Sequence, residues 1–160
     1  MVVSDLREGH CCILLAEEFT HKTSERMTDY VYSLMQKYAP ISKVYVDGSQ
    51  ISWIKSLKAY VGEEVDYHED IERYKASHCD YTLNMQVLPI LFTPNEKRSM
   101  LSWTKQMLED GFLAIDKRFT KLLTALHTCV DTEGIIDKKT TSHDDILDGM
   151  CLNCKEYQFR

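Results

Sequence analysis

Two groups of acidic residues have the types and spacing that metal-assisted chemistry requires. Asp47 follows the apolar run VYV and precedes Gly48. The second group, Asp144, Asp145 and Asp148, lies in the run HDDILDG near the end of the chain. Carboxylate oxygens bind Mg²⁺, and two such ions can activate water and stabilise the leaving oxygen of a phosphodiester. If the fold brings both groups together, they predict phosphodiester hydrolysis.

Each group also has an explanation that involves no catalysis. An isolated Asp-Gly pair is common turn chemistry, which is the favoured interpretation of Asp47 when the motif is taken alone. The helix dipole favours acidic residues such as Asp144 and Asp145 in a first turn. It does not explain Asp148, which on a helix shares a face with Asp144. Like charges placed this way destabilise a helix unless a cation lies between them.

The elements that would position these residues form a mixed α/β pattern. A hairpin is predicted from strands at 1–3 and 10–19 joined by a turn at 4–9. The other predicted strands are 41–47, 85–92 and 112–115, and the predicted helices are 23–38, 49–62, 93–110, 117–132 and 144–152. Strands that alternate with helices imply parallel β-α-β units beside the hairpin.

Three of these elements carry more detailed predictions. The apolar run at 85–92 predicts a strand covered on both faces, and Pro89 places that strand at an edge or a bulge. Ser49 is predicted to cap the helix after Asp47. In the helix at 117–132 the residues expected to face inward are Leu122, Leu123, Leu126 and Val130.

Composition narrows the classes of function. The 160 residues suit one domain, and 44% hydrophobic residues suit a globular protein. A net charge of −6 argues against a passive nucleic-acid coat or repressor, but not against a nuclease with carboxylates in its site. The apolar runs are too short to span a bilayer and no secretory signal is evident, so an intracellular location is expected.

The six cysteines suggest at most one metal site. The only CxxC joins Cys151 to Cys154, and zinc needs four ligands, which His78 and Cys79 would complete only by coincidence of folding. An α/β binding domain with a metal site at this CxxC therefore remains an alternative. The other three cysteines are predicted to be small buried hydrophobes: Cys11, Cys12 and Cys129.

The chain resembles the nuclease domain of phage and provirus terminase large subunits, which has an RNase H-like fold. VYVDGSQISWIKSLK is similar to the second acidic motif and following helix of that family. LPILFTPNEKRSMLSWTKQMLEDG is similar to its next strand and helix, and LAIDKRFTKLLTALHTCVDTEGIIDKKTTSHDDILDGM to its last strand, helix and acidic motif. The segment AEEFTHKT also fits. The resemblance implies one RNase H-like domain over residues 1–160, with 151–160 as a C-terminal tail.

By this resemblance the chain is a metal-dependent endonuclease for double-stranded DNA, with a two-metal site for Mg²⁺ or Mn²⁺. The implied catalytic residues are Asp47, Asp145 and Asp148, and the implied metal ligands are these three with Asp144. The implied partners are DNA and other terminase or portal subunits, in the host cytoplasm and away from membranes. The basic residues that could contact the DNA backbone are Lys55, Lys58, Lys117, Arg118, Lys121, Lys138 and Lys139.

One part of the family pattern has no counterpart. A central first strand that ends in an essential Asp would precede residue 1, so the resemblance predicts an RNase H-like sheet lacking that strand and an impaired activity. Asp5, in the predicted turn, cannot replace the missing carboxylate. Glu17 or Glu18 could enter the site, although solvation at the surface is the favoured expectation. A non-catalytic RNase H-like module that binds DNA or protein is therefore a second alternative.

Overall fold

The computed structural model describes residues 1–19, 23–38, 41–61, 86–132 and 135–158. The polar segment 63–80, with His78 and Cys79, lies outside the described residues, as do Gly62 and Met85. The chain divides into two compact units. Unit 1 comprises Met1–Thr20 and Phe92–Arg160, and unit 2 comprises His21–Leu91.

The described elements alternate between strands and helices, as the sequence predicts. In chain order they are β1 (Val2–Arg7), β2 (His10–Ala16), α1 (Ser24–Lys37), β3 (Lys43–Asp47), α2 (Ile51–Tyr60), β4 (Gln86–Ile90), α3 (Pro94–Glu109), β5 (Leu113–Ile115), α4 (Thr120–Thr128), β6 (Asp131–Thr132), β7 (Ile135–Ile136) and α5 (Asp144–Cys154), followed by a short 3₁₀ turn, Lys155–Tyr157.

The sheet of unit 1 has the order β1-β2-β5. β1 and β2 are antiparallel, and β2 and β5 are parallel. The predicted turn at 4–9 is too long: the ladder continues until Arg7 pairs with His10, which leaves a two-residue turn at Glu8 and Gly9. Both turn residues have positive φ, at 50° and 82°, as the right-handed twist of a tight hairpin requires. Strand pairing thus overrides the local turn propensity of Ser4 and Asp5.

The helices of unit 1 begin and end where local chemistry directs. Thr93 caps α3, since its hydroxyl accepts a hydrogen bond from the Glu96 N–H at 3.2 Å, and Pro94 occupies the first turn. The helix predicted at 117–132 is wrong at both ends. The Asp116 carboxylate accepts the Arg118 N–H at 2.9 Å and forms a turn before α4 begins. After α4, residues 131–132 pair with 135–136 in a small hairpin.

Burial follows these corrected boundaries. Leu122 and Ala125 of α4 are fully buried, whereas Val130, predicted to face inward, is 44% exposed because the helix has already ended. The largest buried group of unit 1 comes from α5, with α3 and α4 packed beside it. Its members are Ile146, Leu147, Met150, Cys151 and Cys154.

Unit 2 contains the parallel pair β3–β4 and the helices α1 and α2. Val46 pairs with Pro89, which cannot donate a ladder hydrogen bond, and β4 lies at an edge of the described two-stranded sheet, as predicted. The expectation that β4 is covered on both faces is wrong. Val87 is buried, but Gln86 and Pro89 are exposed, so part of β4 is open to solvent. The predicted absence of a central strand stays a prediction.

Replacement by alanine is expected to change the free energy of unfolding in opposite directions at two glycines. At Gly48 a Cβ would lie 3.1 Å from the Ile90 carbonyl oxygen, to which the Gly48 N–H also donates at 2.7 Å. Gly48→Ala should therefore lower the free energy of unfolding by about 1–3 kcal/mol. At Gly149, inside α5, the nearest atom would be a Val2 methyl at 3.5 Å. Gly149→Ala should raise that free energy by about 0.5–1 kcal/mol.

Urea denaturation of both glycine variants, followed by circular dichroism, measures the two changes. A neutral Gly48→Ala would show that the β3–β4 edge opens without cost. A destabilising Gly149→Ala would show that α5 has no space beside Val2.

Candidate acidic site

Helix α5 presents the second acidic group. His143 occupies its N-cap, and Asp144 and Asp145 lie in the first turn, where the helix dipole favours negative charge. Ile146 and Leu147 are buried and hold the helix against the rest of unit 1. Asp145 is exposed, whereas the Asp144 and Asp148 side chains are only 26% and 18% exposed. The face shared by Asp144 and Asp148 is therefore partly shielded from water.

The start of α5 is held in an uncommon backbone conformation. His143 has φ 57° and ψ 40°, a left-handed conformation that costs a non-glycine residue roughly 1–2 kcal/mol. Its Nδ1 lies 2.9 Å from Glu18 Oε2, which also accepts a hydrogen bond from Lys121 at 3.2 Å. Glu18 is 19% exposed, so the expectation that it is solvated at the surface is wrong. Its pairing with His143 instead fixes the point from which α5 departs.

Lys138 supplies a cation for the shared face of α5. Its Nζ lies 2.7 Å from an Asp144 carboxylate oxygen and 3.7 Å from one of Asp148. The hydrogen bond to Asp144 raises the pKa of Lys138, so the ammonium form is favoured. The ammonium of Lys138 therefore offsets the repulsion between two like charges that would otherwise destabilise the helix.

A second lysine, Lys97 of α3, lies 3.5 Å from Asp148 and over the Phe92 ring, 4.7 Å from its centroid. Burial raises the pKa of the Asp148 carboxyl, although Lys97 and Lys138 act in the opposite direction. Lys97 was not among the residues predicted from the sequence. The one available signal was its place in the first turns of the well-capped helix α3. A cavity of about 140 Å³ lies here, lined by Lys97, Lys138, Asp148 and apolar side chains.

Asp47 ends β3 in unit 2, at the carboxyl end of a parallel strand, as predicted. Its Oδ1 accepts the Ser49 N–H at 2.9 Å, and its carbonyl oxygen accepts the Gln50 N–H at 3.0 Å. These bonds form a turn into α2, which agrees with the turn interpretation of Asp-Gly. The predicted cap at Ser49 is wrong: Gln50 occupies the N-cap of α2, and its side chain makes no capping hydrogen bond.

The basic residues predicted to contact DNA are mostly exposed, but some have partners within the chain. Lys121 pairs with Glu18, Lys138 pairs with the α5 aspartates, and Arg118 donates to the Leu14 carbonyl oxygen at 3.3 Å. Three of the predicted residues are exposed at the surface: Lys55, Lys117 and Lys139. Lys58 is half-buried in α2. DNA contact by any of them stays a prediction.

Asp144 and Asp148 have the donor chemistry that Mg²⁺ and Mn²⁺ bind, since both offer carboxylate oxygens to one cationic group. Within the described ranges, however, no group of three or more His, Cys, Asp or Glu side chains is arranged to hold a metal ion. The described part of unit 1 thus offers two carboxylates of the chemical type that binds a divalent cation, but no third group beside them.

The CxxC cysteines are buried thiols. Burial raises the pKa of Cys151 to about 12, and a hydrogen bond with Cys11 together with burial raises the pKa of Cys154. Zinc binds the thiolate, so both shifts disfavour the alternative of a Cys151/Cys154 metal site. Cys11 is buried as predicted, whereas Cys12 and Cys129 are only half-buried.

Thiol labelling tests this difference among the cysteines. With a pKa of about 12, only about one Cys151 in ten thousand is a thiolate at pH 8, so iodoacetamide should leave Cys151 and Cys154 unmodified in the folded chain. Among the cysteines that the structure describes, Cys12 and Cys129 should react first. Peptide mapping by mass spectrometry, with a urea-unfolded control in which all cysteines react, measures the pattern. Rapid labelling of folded Cys151 would contradict its buried thiol state.

In the part of the chain that the structure describes, no helix combines the length and apolar character needed to cross a membrane. Comparison with protein families finds that a family model described as a terminase RNaseH-like domain matches residues 1–154. No curated protein and no solved structure matches the chain.

Proposed function

Because the chain belongs to the terminase RNase H-like domain family, we propose that it is a metal-dependent endonuclease module that cleaves double-stranded DNA during viral or proviral DNA packaging. The family match confirms the RNase H-like, mixed α/β fold class predicted from the sequence. The observation that supports the catalytic part is the approach of Asp144 and Asp148, one helical turn apart, to a single cationic group. A divalent cation requires the same convergence.

The proposed ligands follow from these positions. Asp144 and Asp148 would hold Mg²⁺ or Mn²⁺ through carboxylate oxygens from the half-buried face of α5. Asp145, exposed in the first turn of α5, and Asp47, at the end of β3, complete the proposed catalytic and metal-binding set by family resemblance. When bound, the cations activate water and stabilise the leaving oxygen. The chain itself determines the orientation of these carboxylates. The packing of the buried side of α5 maintains that orientation.

The substrate would be held by lysines around the acidic face. Lys97 lines the cavity beside Asp148, so its ammonium is placed to meet a phosphate that approaches this carboxylate. The surface lysines predicted from the sequence would supply further backbone contacts, which contribute affinity without sequence preference. Packaging partners such as other terminase or portal subunits, and action in the host cytoplasm, belong to the same proposal.

A plasmid-cleavage assay tests the proposed activity. Supercoiled DNA incubated with the chain and Mn²⁺ or Mg²⁺ should be converted to nicked and linear forms, and EDTA should prevent conversion. Replacing Mg²⁺ with Ca²⁺ should permit DNA binding with little cleavage, because Ca²⁺ has looser coordination and longer bonds to oxygen. Conversion that persists in EDTA would contradict metal dependence.

One observation favours a second function, a non-catalytic RNase H-like module that binds DNA or protein. Within the described residues the carboxylates do not form a metal-ligating group of three. If the chain shifts DNA in a gel but leaves it intact with every divalent cation, this second function replaces the first.

A further inference from the structure

An aromatic groove in unit 1 lies between the β1–β2 hairpin and the end of α3. Its apolar wall is formed by Leu6, Trp103, Met107, Phe112 and Tyr157. Its volume of about 460 Å³ is within the range of sites that enclose a ligand. Leu6 is 41% exposed, which is unusual for a leucine beside three aromatic residues. The groove therefore presents an apolar surface that a ligand can cover.

The aromatic groove is separate from the acidic face of α5. His10, the first residue of β2, lines the groove, whereas Glu18, just beyond the last residue of β2, contacts His143 at the start of α5. A strand of seven residues spans about 20 Å. A ligand in the groove would thus bind at the other end of β2 from the proposed catalytic residues.

The aromatic rings of the groove are held in place by hydrogen bonds and ring contacts. The Trp103 indole N–H donates to the Cys154 carbonyl oxygen at 3.2 Å. The hydroxyls of Tyr157 and Ser4 are hydrogen-bonded at 3.1 Å, and the Phe112 ring meets the Tyr157 ring edge-on with 6.0 Å between centroids. A binding surface that is already ordered loses less entropy when a ligand binds.

The end of α3 places negative charge at the groove. Asp110 lines the groove and occupies the C-cap of α3, where the helix dipole is also negative. The last turn of α3 contains no basic residue. The nearest lysine in the helix, Lys105, is paired with Glu109 at 3.8 Å and so does not neutralise Asp110. Acidic residues at this end of a helix cost stability, so the helix itself gains nothing from Asp110.

The hairpin adds a second carboxylate on the other side. Glu8 is exposed in the tight turn beside Gly9, which also lines the groove. The basic residue of this hairpin, Arg7, is paired with Asp5 at 3.2 Å. Among the residues that the structure describes, the ion pairs do not include Glu8 or Asp110. The aromatic groove is thus bordered by two carboxylates that the chain leaves available to a cation from outside.

We propose that the aromatic groove binds a basic segment of a partner protein, with an arginine side chain against the rings and its guanidinium at Asp110. Cations are attracted to the faces of aromatic rings, and the planar guanidinium both stacks on rings and pairs with a carboxylate. The same negative charge repels the phosphates of nucleic acid. The proposal therefore adds a protein-binding surface to the proposed function and does not depend on metal binding or DNA cleavage.

NMR of the full, ¹⁵N-labelled chain tests this inference with a capped tetrapeptide, Gly-Arg-Leu-Gly, as the probe. The chain has two tryptophans, so the Trp103 indole signal reports on the groove and the Trp53 signal, from α2 in unit 2, is an internal reference. The peptide should shift the Trp103 signal saturably and leave the Trp53 signal in place. A peptide with citrulline instead of arginine has nearly the same shape without the charge, and should bind at least about threefold more weakly.

Two variants distinguish the charge from the rings. Asp110→Asn should weaken binding of the arginine peptide by about threefold, the scale of one exposed charge pair. Phe112→Leu keeps an apolar side chain but removes one ring, and should weaken binding by a similar factor. Asp29→Asn is the matched control, since Asp29 is exposed on α1 in unit 2 and its replacement changes the net charge equally. It should leave the affinity unchanged.

Several results would overturn the inference. They are the absence of a saturable Trp103 shift, equal affinity for the citrulline peptide, and an equal loss of affinity in Asp29→Asn. A Trp103 shift of the same size with a short DNA duplex would assign the groove to nucleic acid. A dimer in sedimentation velocity that becomes monomeric in Phe112→Leu would assign it to a second copy of the chain. None of these results bears on DNA cleavage, which Asp110→Asn should retain.

Discussion

Asp148→Asn is expected to reduce Mg²⁺-dependent DNA cleavage by about a hundredfold or more, the scale for loss of one essential electrostatic group. Asn retains the shape of Asp148 but removes the negative charge, so the proposed metal site loses one of the two carboxylates that converge from α5. The measurement is the rate of plasmid conversion in Mg²⁺ at fixed enzyme and DNA concentrations.

The same substitution should not unfold the metal-free chain. Burial raises the pKa of the Asp148 carboxyl despite Lys97 and Lys138 nearby. A carboxyl whose pKa is raised by folding contributes stability below its unfolded pKa, and this contribution is lost as the pH rises through the folded value. At neutral pH the ionised Asp148 therefore costs stability. Asp148→Asn should unfold in EDTA at an equal or higher temperature than the unaltered chain.

Asp110→Asn is the matched control for this prediction. Asp110 is exposed at the end of α3. Its replacement removes one negative charge from unit 1, but from a different helix and a different part of the sequence than the acidic face of α5. Its cleavage rate should stay within about twofold of the unaltered chain, as for most surface changes. Cleavage by Asp148→Asn at the full rate would refute the assignment of Asp148 to the site.

The parts of the fold that were predictable from the sequence are those set by local chemistry. Thr93 and Pro94 mark the start of α3 through capping and a fixed φ, and the structure places the helix there. The apolar and acidic pattern of 144–152 likewise predicted α5. Where pairing with distant segments decides the structure, prediction failed. β1 extends to Arg7 because β2 lies opposite, and α4 ends early because 131–132 joins a hairpin.

The site shows the same division. Helix periodicity predicted that Asp144 and Asp148 share a face, but it could not identify Lys138 as the cation beside them. The backbone of Lys138 is positioned by a turn in which the Asp137 carbonyl oxygen accepts the Thr141 N–H at 2.9 Å. Lys97 was not predicted for a similar reason, and Glu18 was named only as a carboxylate that could enter the site, not as the partner of His143. Each meets α5 only through tertiary packing, across a sequence separation that no motif encodes. Helix periodicity thus predicts which carboxylates share a face, whereas tertiary packing decides which residues neutralise or orient them.

We expect replacement of a buried residue of α5 to cause a large loss of stability, just as replacement of its carboxylates should cause a large loss of cleavage. Leu147 is 1% exposed and lies on the buried face of the helix that carries Asp144 and Asp148. Leu147→Ala removes buried methyl groups and leaves a cavity, so it should lower the free energy of unfolding by about 3 kcal/mol. For a chain of this size the midpoint of thermal unfolding should fall by about 6–12 °C.

Leu108→Ala provides the matched comparison, because Leu108 is also helical but is 37% exposed at the end of α3. Its cost should stay below about 1 kcal/mol, since much of its side chain is already in water. Differential scanning calorimetry of both variants measures the contrast. Equal losses would contradict the buried position of Leu147. If Leu147→Ala loses more stability than Leu108→Ala, its cleavage activity should also decline at temperatures below its unfolding transition. The helix that orients the carboxylates is then less firmly held.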